Sequence, residues 1–180
     1  MIQKLSCLCL EYLLNQNVLS HNSKEQETYR YGIEVIISDC IDIGLLMIVA
    51  IMQDKLLECV IYYLSFGYIR KFSGGYHSQN YHSCISLHVV IFYIYTILNI
   101  PHSINLIIGT ISAVIIALMS PIENINRKLK KEDILKYKII TIIIVLLHCI
   151  FMFCFYTLST IIAYTLFVVS LLMVICIKDK

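Results

Sequence analysis

Residues 70–84 form the stretch of this sequence whose residue types and spacing are best suited to chemistry. They read Arg-Lys-Phe-Ser-Gly-Gly-Tyr-His-Ser-Gln-Asn-Tyr-His-Ser-Cys, and apolar runs lie on both sides. The stretch contains the Cys84 thiol and the imidazoles of His77 and His82, which are the groups of a cysteine nucleophile and its base. We therefore expect a cysteine-nucleophile site held at a membrane surface.

The composition indicates a membrane protein. Aliphatic, aromatic and cysteine residues make up 59% of the 180 residues, and charged residues only 14%, against about 25% charged residues in a soluble domain. The net charge of +2 comes without a basic patch interleaved with aromatic residues, so nucleic acid is not expected as a partner. The eight cysteines are scattered and contain no Cys-x-x-Cys pair, which argues against a zinc ribbon or a redox motif.

The apolar pattern predicts an all-α integral membrane fold, with about six transmembrane helices and an N-terminal interfacial helix, in one domain covering residues 1–180. Residues 1–20 have the amphipathic spacing of a helix that lies in the membrane interface. A signal peptide is the competing interpretation, but Glu11 interrupts the apolar run and no small-residue cleavage site follows. The predicted spans are 32–52, 56–69, 84–98, 104–119, 139–155 and 158–177. The second is short for a full crossing, which takes about 20 residues.

The charge distribution predicts the orientation of these spans. Six crossings place both termini and the loops 70–83 and 120–138 on one side, and every Lys and Arg except Lys55 falls there. The positive-inside rule makes that side cytoplasmic. Glu34, Asp39 and Asp42 fall inside the first span, where carboxylates are costly unless they face the helix bundle or a wet cavity.

Three histidines are candidates for the base that activates Cys84. A cysteine at the start of a helix lies in the positive field of the helix dipole, which favours the thiolate. His88 lies one turn further along the same face, inside the span, whereas His82 would point to another face. His77 would need a non-helical bend to reach the thiol, because seven helical residues rise roughly 10 Å. The spacing leaves the choice open.

Neighbouring residues are candidates for supporting roles. Gly74 and Gly75 allow positive φ values and close backbone approach, so their amides could face an oxyanion. Arg70 could hold a carboxylate or a lipid phosphate. In the competing interpretations Cys84 only packs, the glycines form a simple turn, and the basic loop is a topology signal. A metal site formed by the two histidines of the stretch and the thiol would lack a fourth ligand.

The motif Arg70-Lys-Phe-Ser-Gly-Gly-Tyr-His77 followed by Cys84 resembles the signature of the accessory gene regulator B (AgrB) family. These are bacterial membrane peptidases that process quorum-sensing propeptides. Tyr31-Gly-Ile-Glu34 and Pro121-Ile-Glu-Asn124 add support, and the resemblance covers essentially the whole chain. It implies a cysteine endopeptidase of the bacterial cell membrane with His77 and Cys84 as the catalytic pair. A homodimer is also implied; no cofactor or metal ion is expected.

The resemblance also implies the substrate, an AgrD-like propeptide with an amphipathic leader, a central Cys or Ser, and an acidic tail. The tail would leave as the peptide is transferred to Cys84, and ring closure to a thiolactone or lactone would follow. We expect Lys128, Lys130 and Lys131 to dock the tail at the membrane surface, with Arg70 on the same face. The group that orients the catalytic histidine stays open among Gln79, Asn80, Glu34 and a backbone carbonyl.

Two other classes of function compete with the peptidase. The first is a small membrane transporter or exporter that uses intramembrane polar groups: Asp39, Asp42, Glu58 and His88. The second is a membrane scaffold without catalytic activity. Substitution of Cys84 and His77 separates the three classes, because only the peptidase needs both side chains.

Overall fold

The structure is a computed structural model that describes residues 2–16, 23–75, 80–123 and 129–178. Within these ranges the chain forms seven α-helices: α1 (Ile2–Asn15), α2 (Ser23–Met52), α3 (Leu56–Ser73), α4 (Tyr81–Ile97), α5 (His102–Met119), α6 (Lys131–Cys154) and α7 (Tyr156–Lys178). Helices α2, α5, α6 and α7 are long and apolar enough to cross a membrane, and α4 is a shorter apolar helix. The predicted all-α, multi-pass membrane fold is confirmed.

Several helix boundaries differ from the sequence prediction. α2 begins at Ser23, nine residues earlier than predicted, and α3 continues to Ser73 and so contains Arg70. α6 begins at Lys131, inside the predicted polar loop, and a single residue, Phe155, separates it from α7. The sequence prediction ends helices at charged residues, but Lys, Arg and Glu are good helix formers and their long side chains reach the headgroup level.

Helix α7 is the central element of the bundle. In its apolar segment 61% of the residues are buried, against 17% to 28% in α2, α5 and α6. The helix that packs most closely on it is α5, through a buried stripe of mainly small residues: Asn105, Gly109, Ser112, Ala113 and Ile116. A methyl group added to Gly109 would lie 2.9 Å from the Ala163 Cβ and 2.6 Å from the Met152 Sδ. Such close approach of small residues is the usual way in which membrane helices associate.

Helices α1, α2 and α4 meet at Glu34, which is 9% exposed. The Ser6 hydroxyl on α1 donates to Oε1 of Glu34 at 3.2 Å, and the Tyr81 hydroxyl at the start of α4 donates to Oε2 at 3.2 Å. Arg30, one turn earlier on α2, lies 3.9 Å from the same carboxylate. The Glu34 carboxylate on α2 therefore connects α2 to both α1 and α4.

The chain leaves α3 through two glycines with positive φ angles, 77° at Gly74 and 124° at Gly75. Gly74 forms a parallel β-bridge with Ile122, and the Ile122 N–H donates to the Ser73 carbonyl at 2.8 Å. A Cβ on Gly74 would overlap the Ile122 carbonyl oxygen. The bridge places the end of α3 beside the segment that follows α5 and leads into the basic loop.

Candidate active site

A cavity of about 500 Å³ lies between α2, α3 and α4, with Leu172 of α7 in its wall. Its polar lining residues come from three helices: Asp39, Asp42, Arg70, Lys71, Cys84 and His88. The remaining lining is mostly apolar or aromatic. Charged groups at this depth need a cavity or a partner, as the sequence predicted for the two carboxylates of α2.

Cys84 is partly buried in the first turn of α4 and lines this cavity. Its N–H donates to the Asn80 carbonyl at 3.0 Å, so the thiol lies at the positive end of the helix dipole. The Arg70 guanidinium packs over the Phe66 ring at 5.2 Å and interacts electrostatically with Cys84. Burial of the thiol favours its neutral form, and the guanidinium and the helix end act against this by favouring the thiolate, the form in which a cysteine is a nucleophile. A base is therefore needed to remove the proton.

Below the thiol, His88 and Asp42 form a close pair. Nδ1 of His88 lies 2.6 Å from Oδ2 of Asp42, and the two side chains are 10% and 13% exposed. The imidazole stacks on the Phe66 ring with centroids 4.6 Å apart, and the centroid of the Tyr62 ring lies 5.0 Å from that of the imidazole. Sequence reasoning had noted both polar residues separately but missed the pair. The available signal was the need of each intramembrane polar group for a partner.

The other candidate residues of the motif are placed as follows. His77 and Gln79 lie outside the described residues. Asn80 is the N-cap residue of α4, but its side chain makes no capping hydrogen bond. His82 is exposed on α4 and does not line the cavity. Of the imidazoles in the described part of the chain, His88 is the one that shares the cavity with Cys84.

The two glycines hold the backbone in place. The Gly74 N–H donates to the Arg70 carbonyl at 3.0 Å and so closes the last turn of α3. A Cβ added to Gly75 would lie 3.5 Å from Cγ of Met173, which shows how closely this backbone passes α7. The amide of Gly74 is thus committed to the helix end, and its expected role at an oxyanion is not available in this conformation.

Two of the three basic residues expected to dock a tail, Lys130 and Lys131, lie at the start of α6. Lys130 is the N-cap residue of that helix and Lys131 its first residue, and both are exposed. Lys128 lies outside the described residues. Just before the helix, the Leu129 N–H donates to Oε1 of Glu123 at 3.0 Å, which ties the two ends of the loop together.

No group of three His, Cys, Asp or Glu side chains in the described ranges is arranged to hold a metal ion. This finding does not test a metal site formed by His77, His82 and Cys84, because His77 is not among the described residues.

The fold and this cavity define a multi-pass membrane protein with a partly buried cysteine in a polar cavity between helices. A family model described as accessory gene regulator B matches residues 6–177, so the chain belongs to the AgrB family.

Two curated relatives are also similar to part of this chain. An AgrB-like protein of Clostridium perfringens (strain SM101 / Type A) is 30% identical over 91 residues, which are 51% of this chain and 42% of the relative. AgrB-like protein 2 of Clostridium perfringens (strain 13 / Type A) is 29% identical over 91 residues, with the same coverage. The chain thus matches less than half the length of either relative. No solved structure matches the chain.

Proposed function

We propose that this protein is a membrane cysteine endopeptidase that processes an AgrD-like quorum-sensing propeptide. The observation that carries the proposal is family membership over residues 6–177, joined to the position of Cys84 in a cavity beside Arg70. The substrate has an amphipathic leader, a central segment with Cys or Ser, and an acidic tail. The leader lies in the membrane interface, at the level of the thiol.

The first half of the reaction transfers the peptide to the enzyme. His77 takes the proton of the Cys84 thiol, and the thiolate attacks the carbonyl that precedes the tail. The tetrahedral intermediate collapses as the C–N bond breaks, and His77 returns the proton to the leaving amine. The tail departs, and the rest of the peptide stays as a thioester on Cys84. Arg70 contributes by stabilising the thiolate before attack.

The second half closes the ring. A thiol or hydroxyl of the bound peptide attacks the thioester carbonyl, and Cys84 leaves. Exchange of the thioester for a thiolactone keeps most of the acyl activation, whereas hydrolysis would lose this activation. The site therefore has to exclude water. The apolar and aromatic lining of the cavity, which includes Phe66, Leu87 and Ile91, supports this requirement.

We assign the acidic tail to the basic loop. Lys128, Lys130 and Lys131 precede or begin α6, and the bridge between Gly74 and Ile122 supports a position of this loop near the end of α3. The positive-inside rule puts this end of the bundle, the active site and both termini on the cytoplasmic face of the cell membrane. A negatively charged tail is attracted to such a surface before cleavage.

The experiment is the substitution of the two proposed catalytic residues in the full chain. Cys84→Ala, Cys84→Ser and His77→Ala are reconstituted in liposomes with a synthetic propeptide of the proposed kind, and tail release is followed by mass spectrometry. Each is expected to lose at least about 10³-fold in rate, because nucleophile and base act as a unit. Cys154→Ala, an exposed cysteine on α6, is the matched control and should keep the wild-type rate. Tail release by Cys84→Ala at the wild-type rate would exclude this thiol as the nucleophile, and the absence of tail release by the wild-type protein would point to a transporter or a scaffold.

A further inference from the structure

His88 and Asp42 form a buried acid and base pair that the mechanism above does not use. Nε2 of His88 and Oδ1 of Asp42 are both buried and have no hydrogen-bond partner among the described residues. Unsatisfied polar atoms inside a protein are destabilising. Within a membrane helix bundle, a costly arrangement of this kind is the usual mark of a functional group.

The pair lies within reach of the thiol. His88 and Cys84 are four residues apart on α4, and residues at this spacing have Cβ atoms about 5–6 Å apart. Side chains on a helix lean towards its N-terminus, so the imidazole covers the turn that carries Cys84. Both side chains line the same cavity. A group bound to the sulfur therefore lies next to the imidazole.

The contact with Asp42 determines which nitrogen can accept a proton. The Nδ1–H of His88 donates to the carboxylate over the 2.6 Å distance, which leaves Nε2 as the free acceptor. The same carboxylate stabilises the imidazolium that forms when Nε2 is protonated. This division of roles is the one found in nucleophile, histidine and aspartate triads.

We propose that His88, oriented by Asp42, is the general base and acid of the ring-closing half of the reaction. The inference rests on the proposed function and adds a second base to it. Nε2 takes the proton from the thiol or hydroxyl of the bound peptide as this atom bonds to the thioester carbonyl carbon. The bond from that carbon to the Cys84 sulfur then breaks, and the imidazolium gives its proton to the departing sulfur. Peptide ring, free thiol and neutral His88 result, so the proton balance closes.

The surroundings of His88 give a reason for a second base. The imidazole packs against the rings of Phe66 and Tyr62, and its free nitrogen is buried. A base near the membrane surface would activate water as readily as the peptide, and water would hydrolyse the thioester. A buried base that packs against aromatic rings is less accessible to water, so it favours a group that the bound peptide inserts into the cavity.

The alternative is that the pair only ties α2 to α4. The test uses the full chain in liposomes and the synthetic propeptide described above, and it separates the two halves of the reaction. The burst of released tail, the thioester on Cys84, the cyclic product and the linear acid are each quantified by mass spectrometry. The variants are His88→Gln, Asp42→Asn and the double variant, with His148→Gln as control. His148 is a partly buried histidine on α6, bonded to the Ile144 carbonyl, that does not line this cavity.

His88→Gln and Asp42→Asn are expected to release a burst of tail and then to close the ring slowly. The thioester on Cys84 or the linear acid should therefore accumulate. The rate of ring closure relative to the burst should fall about 10²-fold, the usual contribution of a general base. The double variant should fall no further than the single ones, because the two residues act as one unit. The control His148→Gln should keep the wild-type ratio.

If the tail burst and ring closure are lost in proportion, so that the ratio of ring closure to burst is that of the wild type, the inference is overturned. The pair would then have only the structural role of linking α2 to α4. A single variant could fail to fold because it buries one unpaired polar group. In that case the ratio of ring closure to burst is measured on the double variant, in which Gln and Asn can bond to each other. The absence of tail release by the wild-type protein contradicts the proposed function instead, and this result is recognisable before any variant is made.

Discussion

Two helix interfaces of this protein are built in opposite ways. Between α5 and α7, small residues such as Gly109 and Ala163 meet closely, and the buried hydroxyls of Thr165 and Ser170 donate to carbonyls of their own helix. Between α2 and α4, a carboxylate meets an imidazole beside a cavity of about 500 Å³. These two hydroxyls of α7 have hydrogen-bond partners, whereas Oδ1 of Asp42 and Nε2 of His88 have none among the described residues.

The two interfaces therefore have different roles: the one between α5 and α7 is the scaffold that stabilises the bundle, and the one between α2 and α4 lies at the candidate active site. Four buried side-chain atoms of the described chain have no hydrogen-bond partner, and three of them lie together: Asp42 Oδ1, Tyr62 OH and His88 Nε2. Lipid offers little hydrophobic driving force between helices, so close packing at α5 and α7 has to stabilise the bundle. The α2 and α4 side can then hold polar groups that stability alone would not select.

The strongest test of this comparison is Gly109→Leu. A Cβ at this position already meets Ala163 and Met152, so the larger side chain forces α5 and α7 apart. The loss should be about 3 kcal/mol or more, at or above the upper range for overpacking, measured as thermal unfolding in detergent. Gly44→Leu on α2 is the control, because nothing lies within 4 Å of its Cβ. Equal stability of the two variants would mean that the interface between α5 and α7 is not the scaffold.

Gly74→Ala should have the next largest effect. The residue has a φ of 77° and its Cβ would overlap the Ile122 carbonyl, so the bridge to the basic loop breaks. We expect a loss of about 1–3 kcal/mol, together with reduced tail release. Gly32→Ala, at a helical position with open space, should not destabilise the protein. A fully active Gly74→Ala protein would show that the path of this backbone is not needed at the site.

Glu34→Gln should have a smaller effect, because one neutral group replaces a carboxylate of the same shape. The bonds from Ser6 and Tyr81 weaken, at a cost of about 1 kcal/mol, and the first turn of α4 loses part of its support. Tail release should fall several-fold while ring closure keeps its ratio to the burst. Glu27→Gln, exposed on the same helix, is the control. An unchanged rate for Glu34→Gln would exclude any role of this carboxylate in positioning Cys84.

The smallest effect on stability is expected when Lys128, Lys130 and Lys131 are all changed to Gln. Lys130 and Lys131 are exposed, and substitution of a surface charge usually changes stability by no more than about 0.5 kcal/mol, so thermal unfolding should hardly change. The KM for a propeptide with an acidic tail should rise several-fold at low salt, and this difference should shrink at high salt. A propeptide with a neutral tail should show no difference between the variant and the wild type. If both propeptides behave alike, the loop is only a topology signal.

The sequence predicted the helices and missed the contacts between them. Periodicity and composition are local, so they located the apolar runs and the position of Cys84 at the start of α4. The sequence prediction ends this helix at residue 69, too early, because it assigns Arg70 and Lys71 to a loop. They are good helix formers, and the helix ends instead at Gly74, whose positive φ is typical of a helix terminus.

Pairings over long separations were beyond local reasoning. His88 and Asp42 are 46 residues apart, and Tyr81 and Glu34 are 47 apart. No spacing rule connects residues on different helices, and each of these contacts depends on how the bundle packs. The choice of His77 as the base came from the resemblance to the family, and it stays a prediction, since this residue lies outside the described ranges.

The polarity of α3 has a consequence for how the protein is made. This helix carries Glu58 near one end and Arg70 and Lys71 near the other, and it is not among the helices apolar enough to cross a membrane on their own. Only Gln53, Asp54 and Lys55 separate it from α2. During synthesis α3 should therefore enter the bilayer as the second arm of a hairpin with α2. A nascent chain that presents α3 without α2 should leave it at the membrane surface.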